Sequence, residues 1–373
     1  MPDLTPGYII FIALLLFTAV LLFYYLYFFA RLVFFKPRSQ SSIQQHPVSI
    51  IVCGKNEARN FAKNIPGLIF QEYAASRQIL VVNDNSTDDS KYVLQELNGK
   101  YGGLSLLNLQ QNAQHIPGKK YPLSMGIRQA GHEILLLTDA DCVPATEHWL
   151  QKMQEPYEQQ IEIVLGYGAY HKYPGFLNKV IRYETFHSAL QYLSYALAGV
   201  PYMGVGRNLS YKKSLFLNNK GFSDVNHLPG GDDDLFINKV ATAKNTAVVI
   251  DPAAHTLSSP KRTWKEWKNQ KTRHFSTSKY YKPKHKFLLG LYSLSHFLFY
   301  FLIIACCIWY DWRAGLGILL GKSLLQQLLF ANVMKKLNEP DLRKWVLIMD
   351  LWMVCYYLFF APMLIRKEKK SWS

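Results

Sequence analysis

Acidic residues are scarce in this chain: 26 Asp and Glu stand against 42 Lys and Arg, a formal net charge of +16 over 373 residues. Cysteine is scarcer still. The five present fall in no CxxC or Cys/His ligand spacing, which excludes a zinc ribbon and a disulfide framework. Neither GxGxxG nor GxxxxGKS/T occurs, so neither a dinucleotide-binding turn nor a P-loop is supported. The first apolar run has no base before it and no small-residue cleavage site after it, against a cleaved signal peptide. Disorder is excluded by 49% hydrophobic and 14% aromatic residues.

The apolar residues are concentrated in long runs. Residues 7–35 carry one charge, Arg31, and are long enough to cross a bilayer as an uncleaved anchor. Arg31, Lys36 and Arg38 follow it, which by the positive-inside bias puts the next domain in the cytoplasm. Near the C-terminus, 287–310 is a clear span, 316–334 is weakened by Lys322, Gln326 and Gln327, and 345–365 reads as a span despite Asp350. Polar groups at membrane depth either line a pathway or pack on neighbours. If all four segments cross, the basic loop 335–344 is cytoplasmic and the basic tail 366–373 is not. If 316–334 does not cross, the two exchange sides. In either case the surplus of bases suits an anionic leaflet and a phosphate-bearing substrate, with no call on nucleic acid.

Between the apolar regions, strand patterns at 48–53, 77–84, 104–109 and 133–139 alternate with helical patterns at 56–71, 86–102 and 119–131, with Ser86 or Thr87 as an N-cap. That alternation predicts a mainly parallel α/β sheet, whose ligands sit beyond the carboxyl ends of the strands. Asn56 and Glu57, Asp84, and the pair Asp139 and Asp141 all follow strands and should meet in one crevice. Two carboxylates one residue apart after a buried strand suit Mg2+ or Mn2+, which complete their shells with water and phosphate oxygens. A capping turn before Pro144 is the simpler alternative for the pair alone.

Taken in order, the motifs of residues 47–280 resemble the family 2 glycosyltransferases. "VSIIVCGKNEARN" is similar to the family's opening strand and turn, and "LVVNDNSTDDS" to its VVDDGSTD element, with Asn83 in place of the first Asp. "GKKYPLSMGIRQA" resembles GKAxALNxGI, and "TDADC" resembles the DxD element. "GVGRNLSYKKSLF" is similar to G-x-N-x-x-x-R, "GGDDDLF" to ED-x-D-L with Gly231 in place of Glu, and "QKTRHF" to QxxRW with His274 in place of Trp.

The resemblance implies a GT-A nucleotide-sugar-binding domain over 47–260, with a mixed, mainly parallel sheet and flanking helices, joined to transmembrane helices. It implies an inverting transfer from a nucleotide-sugar, by family default UDP-linked, to a lipid-linked or glycan acceptor. Asp232 is then the base. Cys53, Asn56, Glu57, Asp84, Lys119 and Asp139 line the donor site, and Asp141 holds Mg2+ or Mn2+. Asp233, Gln270 and Arg273 lie on the acceptor and leaving-group side. His255 reads as an ordinary histidine. The altered QxxRW weakens the alternative of a processive synthase that exports its product. A non-catalytic nucleotide-sugar-binding membrane component has only the polar residues of the spans in its favour. The basic, Trp-bearing segment 261–286 is expected to form an amphipathic interfacial helix leading into the C-terminal membrane region, 287–365, of two or three spans.

Overall fold

The computed structural model describes residues 5–37, 44–110, 116–158, 160–275 and 277–364. Seven strands form the main sheet: β1 (Val48–Gly54), β2 (Arg77–Asp84), β3 (Leu104–Leu109), β4 (Ile134–Asp139), β6 (Ile163–Leu165), β8 (Leu209–Lys212) and β9 (Thr246–Val248). Their order is β3-β2-β1-β4-β8-β6-β9. The first four strands are parallel, as the sequence predicts, and β8 runs antiparallel to both β4 and β6. Strands β5 (Cys142–Pro144), β7 (Gly168–Tyr170) and β10 (Thr256–Ser258) make a second, small sheet in the order β5-β10-β7. Buried runs such as Ile50–Val52 and Leu135–Leu137 carry no alternation because helices cover both faces of a parallel sheet.

Two local expectations are corrected. The second helix begins at Ser90, not at Ser86 or Thr87: the Asp88 carboxylate accepts from the Ser90 amide (3.0 Å) and from Ala58 (3.1 Å), tying two helix starts together. The helix after the three acids is short, Asp234–Val240, and stops before the polar turn at Thr242 and Asn245.

The membrane region differs more. Among the described residues, three helices are long and apolar enough to cross a bilayer: Pro6–Phe34, Pro283–Trp309 and Trp312–Lys336. The segment weakened by Lys322 and Gln326 is therefore one of the three, while the last apolar segment forms only a 15-residue helix, Val346–Phe360. Lys322 and Gln326 each donate to the Asp350 carboxylate at 2.5 Å, the Tyr300 hydroxyl donates to it as well, and His296 lies 3.0 Å away. These side chains converge on one carboxylate, which favours packing on neighbours over a pathway.

Contacts also order the ends. Tyr310 stacks on Phe11 at 4.6 Å, so the start of the first long helix meets the turn between the other two, away from the sheet. At the opposite end Lys336 donates to the Phe35 carbonyl (2.7 Å). The loop that follows is clasped to the domain: buried Arg182 reaches Glu339 and, at 2.7 and 2.9 Å, Asp341. Helix Val346–Phe360 then lies beside helix Trp264–Phe275, with Trp264 against Trp352 and Trp267 against Tyr356 and Phe360. Trp267 and Lys271 are thus buried in protein, Lys271 paired with Glu184, and not turned to lipid.

Arg182 sits on helix Phe176–Leu197, nearly all of it buried. Removing one partner of a buried ion pair typically costs about 3–5 kcal/mol. Arg182→Ala should lower the unfolding temperature in detergent by several degrees, whereas Lys239→Ala, at an exposed pair with Asp224, should leave it within about one degree. In a cysteine-free background, single cysteines at Lys91 and Lys335 should react with an impermeant thiol reagent from one side of a sealed vesicle, and one at Trp312 from the other. Labelling of Lys335→Cys from the Trp312 side would refute the three-helix arrangement.

Candidate active site

The parallel registers bring the strand ends level. Cys53 pairs with Asp139 and Gly54 with Asn83, so the chain leaves β1, β2 and β4 at one edge. Strand β8, entering antiparallel with Leu209 opposite Leu137, delivers Gly206–Asn208 to the same edge. A pocket there is lined by Cys53, Lys119, Asp139, Gly206, Asp232 and Asp233. The sequence-predicted acids of the first and second halves of the domain therefore meet.

Lys119 is the bridge. Its Nζ lies 2.6 Å from Asp139 Oδ1 and 3.3 Å from Asp232 Oδ2. Burial works against its charge, but Asp139, Asp232 and Asp233 outweigh it and hold the ammonium well above its ordinary pKa. Lys120, beside it and buried, donates to the carbonyls of Leu228 and Gly230 (2.9 Å to the latter), fixing the turn that carries the acids. At Gly231, φ is +92° and a Cβ would come within 2.6 Å of Leu235, so the residue that replaces the family's Glu is the one this turn admits.

The three consecutive acids have three different partners. Asp232 faces Lys119. Asp233 accepts from the Gly206 amide (2.7 Å) and caps the helix through the Asp234 amide (2.8 Å). Asp234 accepts from the Tyr281 hydroxyl (2.8 Å) and from Thr277, in the segment leading to the second long helix. Burial, then the neighbouring Asp232 and Asp234 charges, raise the Asp233 carboxyl to about 7.

On the other side of Asp139, ligand atoms of Asp139, Asp141 and Cys142 all lie within 4.8 Å of one another. Burial and the Asp139 charge push the Asp141 carboxyl above its ordinary value, with Arg207 opposing. Burial also holds the Cys142 thiol well above its ordinary pKa; it donates to Asp141 (3.3 Å) and contacts Ser258 (2.8 Å). The donor set is thus a pair of hard carboxylate oxygens beside a protonated thiol, which fits Mg2+ or Mn2+ better than a soft metal.

The remaining predicted residues divide. Glu57 is turned toward this pair: burial raises its carboxyl, the Asn60 amide opposes, and the Asp141 charge adds to the rise. Asp84 ends β2 and accepts from Asn85 (2.9 Å). Asn56, at φ +57°, accepts from the Thr87 amide (2.8 Å) and joins the loops after β1 and β2. Cys53 lines the pocket as an inert thiol, its pKa raised by burial. Gln270 reaches the Tyr170 hydroxyl (3.4 Å), outside the pocket lining. The Arg273 side chain lies outside the described residues. His255 is buried against Tyr167, apart from the carboxylates. Sequence reasoning missed Lys120, Arg207 and the Thr277–Tyr281 strap. Lys120 and Arg207 lie inside the quoted motifs GKKYPLSMGIRQA and GVGRNLSYKKSLF; the strap lies in neither.

Known proteins match this arrangement. The model of glycosyl transferase family 2 matches residues 49–216. This stretch belongs to that family. The family 2 domain and its flanks are 22% identical over 369 residues to the Bacillus subtilis protein named "Probable glycosyltransferase YdaM", covering 88% of this chain and 76% of that one. The Nostoc protein "Beta-monoglucosyldiacylglycerol synthase" is 34% identical over 120 residues, 31% of this chain and only 25% of the relative's length. Among solved structures, the mannosyltransferase PcManGT from Pyrobaculum calidifontis, in complex with GDP-Man and Mn2+, superposes with a TM-score of 0.58 at 18% identity, covering 92% of this chain and 99% of that one. The fold of the family 2 domain is GT-A.

Asp233 supplies a pH test. Its folded pKa of about 7 exceeds the ordinary 3.8, so its contribution to stability is full below about pH 4 and is lost as pH rises through 7. Asp233→Asn cannot ionise. In EDTA, the unfolding temperature of the variant relative to wild type should rise between pH 5 and pH 8; a constant difference would refute the assignment.

Proposed function

We propose that the family 2 domain transfers a sugar from a nucleotide-sugar to a lipid-linked or glycan acceptor in a single inverting displacement assisted by Mg2+ or Mn2+. The observation that carries this reading is the Lys119 ammonium set between Asp139 and Asp232, next to the Asp139–Asp141 pair. It supports the reading because a leaving diphosphate needs a cation and the acceptor hydroxyl a neighbouring carboxylate as base.

In this reading Asp232 takes the proton of the acceptor hydroxyl as the hydroxyl oxygen bonds to the anomeric carbon. The bond from that carbon to the diphosphate oxygen breaks, and Lys119 donates to the departing phosphate. Asp139 and Asp141 would hold the divalent cation, which when bound stabilises charge on the diphosphate. Asp233 and Asp234 hold the Asp232 turn. Cys53, Asn56, Glu57 and Asp84 frame the donor, with UDP as the default base and GDP left open by Asn83 and Cys53. Gln270 and Arg273 belong to the acceptor side. Helix Trp264–Phe275 is the edge over which a membrane-held acceptor reaches the pocket, and the domain works at the cytoplasmic face.

Purified full-length protein in detergent plus lipid should transfer sugar from one member of a UDP- and GDP-sugar panel when Mn2+ or Mg2+ is present. Asp232→Asn should lower kcat about 10²–10⁴-fold with donor binding kept, and Asp141→Asn should abolish metal-dependent donor binding. Tight donor binding with turnover unaffected by Asp232→Asn would sink the assignment of the base.

A further inference from the structure

We infer that Arg207 is a phosphate-binding residue beside the Asp139–Asp141 pair, to which Ser258 links it through Cys142. The inference rests on the glycosyltransferase reading above and goes beyond it, because residue 207 is a variable position in the G-x-N pattern that the motif comparison uses.

The side chain is built into its place. It leaves the turn Gly206–Asn208, which Asn208 anchors by donating to the carbonyls of Tyr167 (3.0 Å) and Ala254 (2.7 Å). Gly168 makes room, since a Cβ there would lie 3.1 Å from Arg207 Cβ and 3.3 Å from Nε. The guanidinium carbon lies over Tyr170, 4.3 Å from the ring centre, and Tyr170 is in turn held by Gln270 of helix Trp264–Phe275. Platform and clearance fix the plane of the fork.

Its donors are nevertheless almost unused. Of five N–H groups, one makes a long contact, Nη1 to Ser258 Oγ at 3.5 Å, and no carboxylate among the described residues comes within ion-pair distance. The other arginine buried in the domain, Arg182, spends its fork on two carboxylates. A planar, oriented, half-buried guanidinium with spare donors suits bidentate contact with phosphate oxygens. Two sources share that chemistry: the diphosphate of the donor, and the phosphate of a lipid-phosphate acceptor arriving past Gln270.

Full-length wild type, Arg207→Gln and Arg207→Lys would be compared in detergent with Mn2+, their unfolding temperatures recorded alongside. One arm titrates UDP and GDP calorimetrically. The other measures KM for a polyprenyl phosphate and for a phosphate-free glycolipid at saturating donor. Nucleotide affinity reduced at least tenfold by Arg207→Gln, and less by Arg207→Lys, assigns the donor diphosphate. Unchanged nucleotide affinity with at least a tenfold higher KM for the polyprenyl phosphate alone assigns the acceptor phosphate. If Arg207→Gln does not fold, the loss of the fork in Arg207→Lys is read the same way. Wild type that binds nucleotide and variants unchanged in both arms overturn this inference alone; wild type that binds neither nucleotide overturns the underlying reading with it.

Discussion

Two adjacent lysines hold the crevice together. Lys119 sits between Asp139 at the end of β4 and Asp232 some 90 residues later, while Lys120 grips the carbonyls on either side of Pro229. Without a cation at Lys119 the two acids would face each other across a partly buried space, where like charges raise the cost of ionisation. The ammonium therefore joins the two halves of the site.

The run of three aspartates looks redundant and is not. A capping role uses Asp233, whose carboxylate joins the Gly206 amide to the helix start. Asp234 points the other way, to Thr277 and Tyr281, and Lys282 is fixed close by through its amide to Asn238 (3.0 Å). The segment that leads into the second long helix is thereby attached to the residue two places from Asp232. Any shift of that segment relative to the sheet acts on the Asp232 turn through a buried carboxylate, not through a flexible linker.

How much of this was legible depends on whether the signal was local. The parallel core and its strand-end acids could be read because strand, turn and carboxylate are contiguous in sequence. Helix Phe176–Leu197 could not, since it is covered on nearly every side and shows no apolar stripe. Arg207 looked like filler within a motif, because Gly168, Tyr170 and Ser258, which give it meaning, are 37 to 51 residues away in sequence. The polar residues of the C-terminal apolar segments were hard to read for a related reason. A hydropathy window counts Lys322 and Asp350 as two separate defects in two segments, whereas in the fold they neutralise each other across helices. Charge pairing between elements is invisible to any reading that takes one element at a time.

Helix Phe176–Leu197 explains why the domain keeps one attitude to its membrane helices. Tyr192 donates to the Gly166 carbonyl in the sheet, Tyr195 stacks on Phe28 of the first long helix at 4.2 Å, and His187 meets Tyr292 of the second at 3.1 Å. Arg182 holds the loop after the third, and Glu184 pairs with Lys271 of helix Trp264–Phe275. One rigid element thus touches the sheet, all three long helices or their ends, and the helix beside the pocket. A tethered soluble domain would sample many orientations and present its crevice to lipid only part of the time. Here Arg182 with Glu339 and Glu184 with Lys271 are buried pairs, so parting either exposes an unpaired ion. The crevice is consequently held in one attitude to helix Trp264–Phe275.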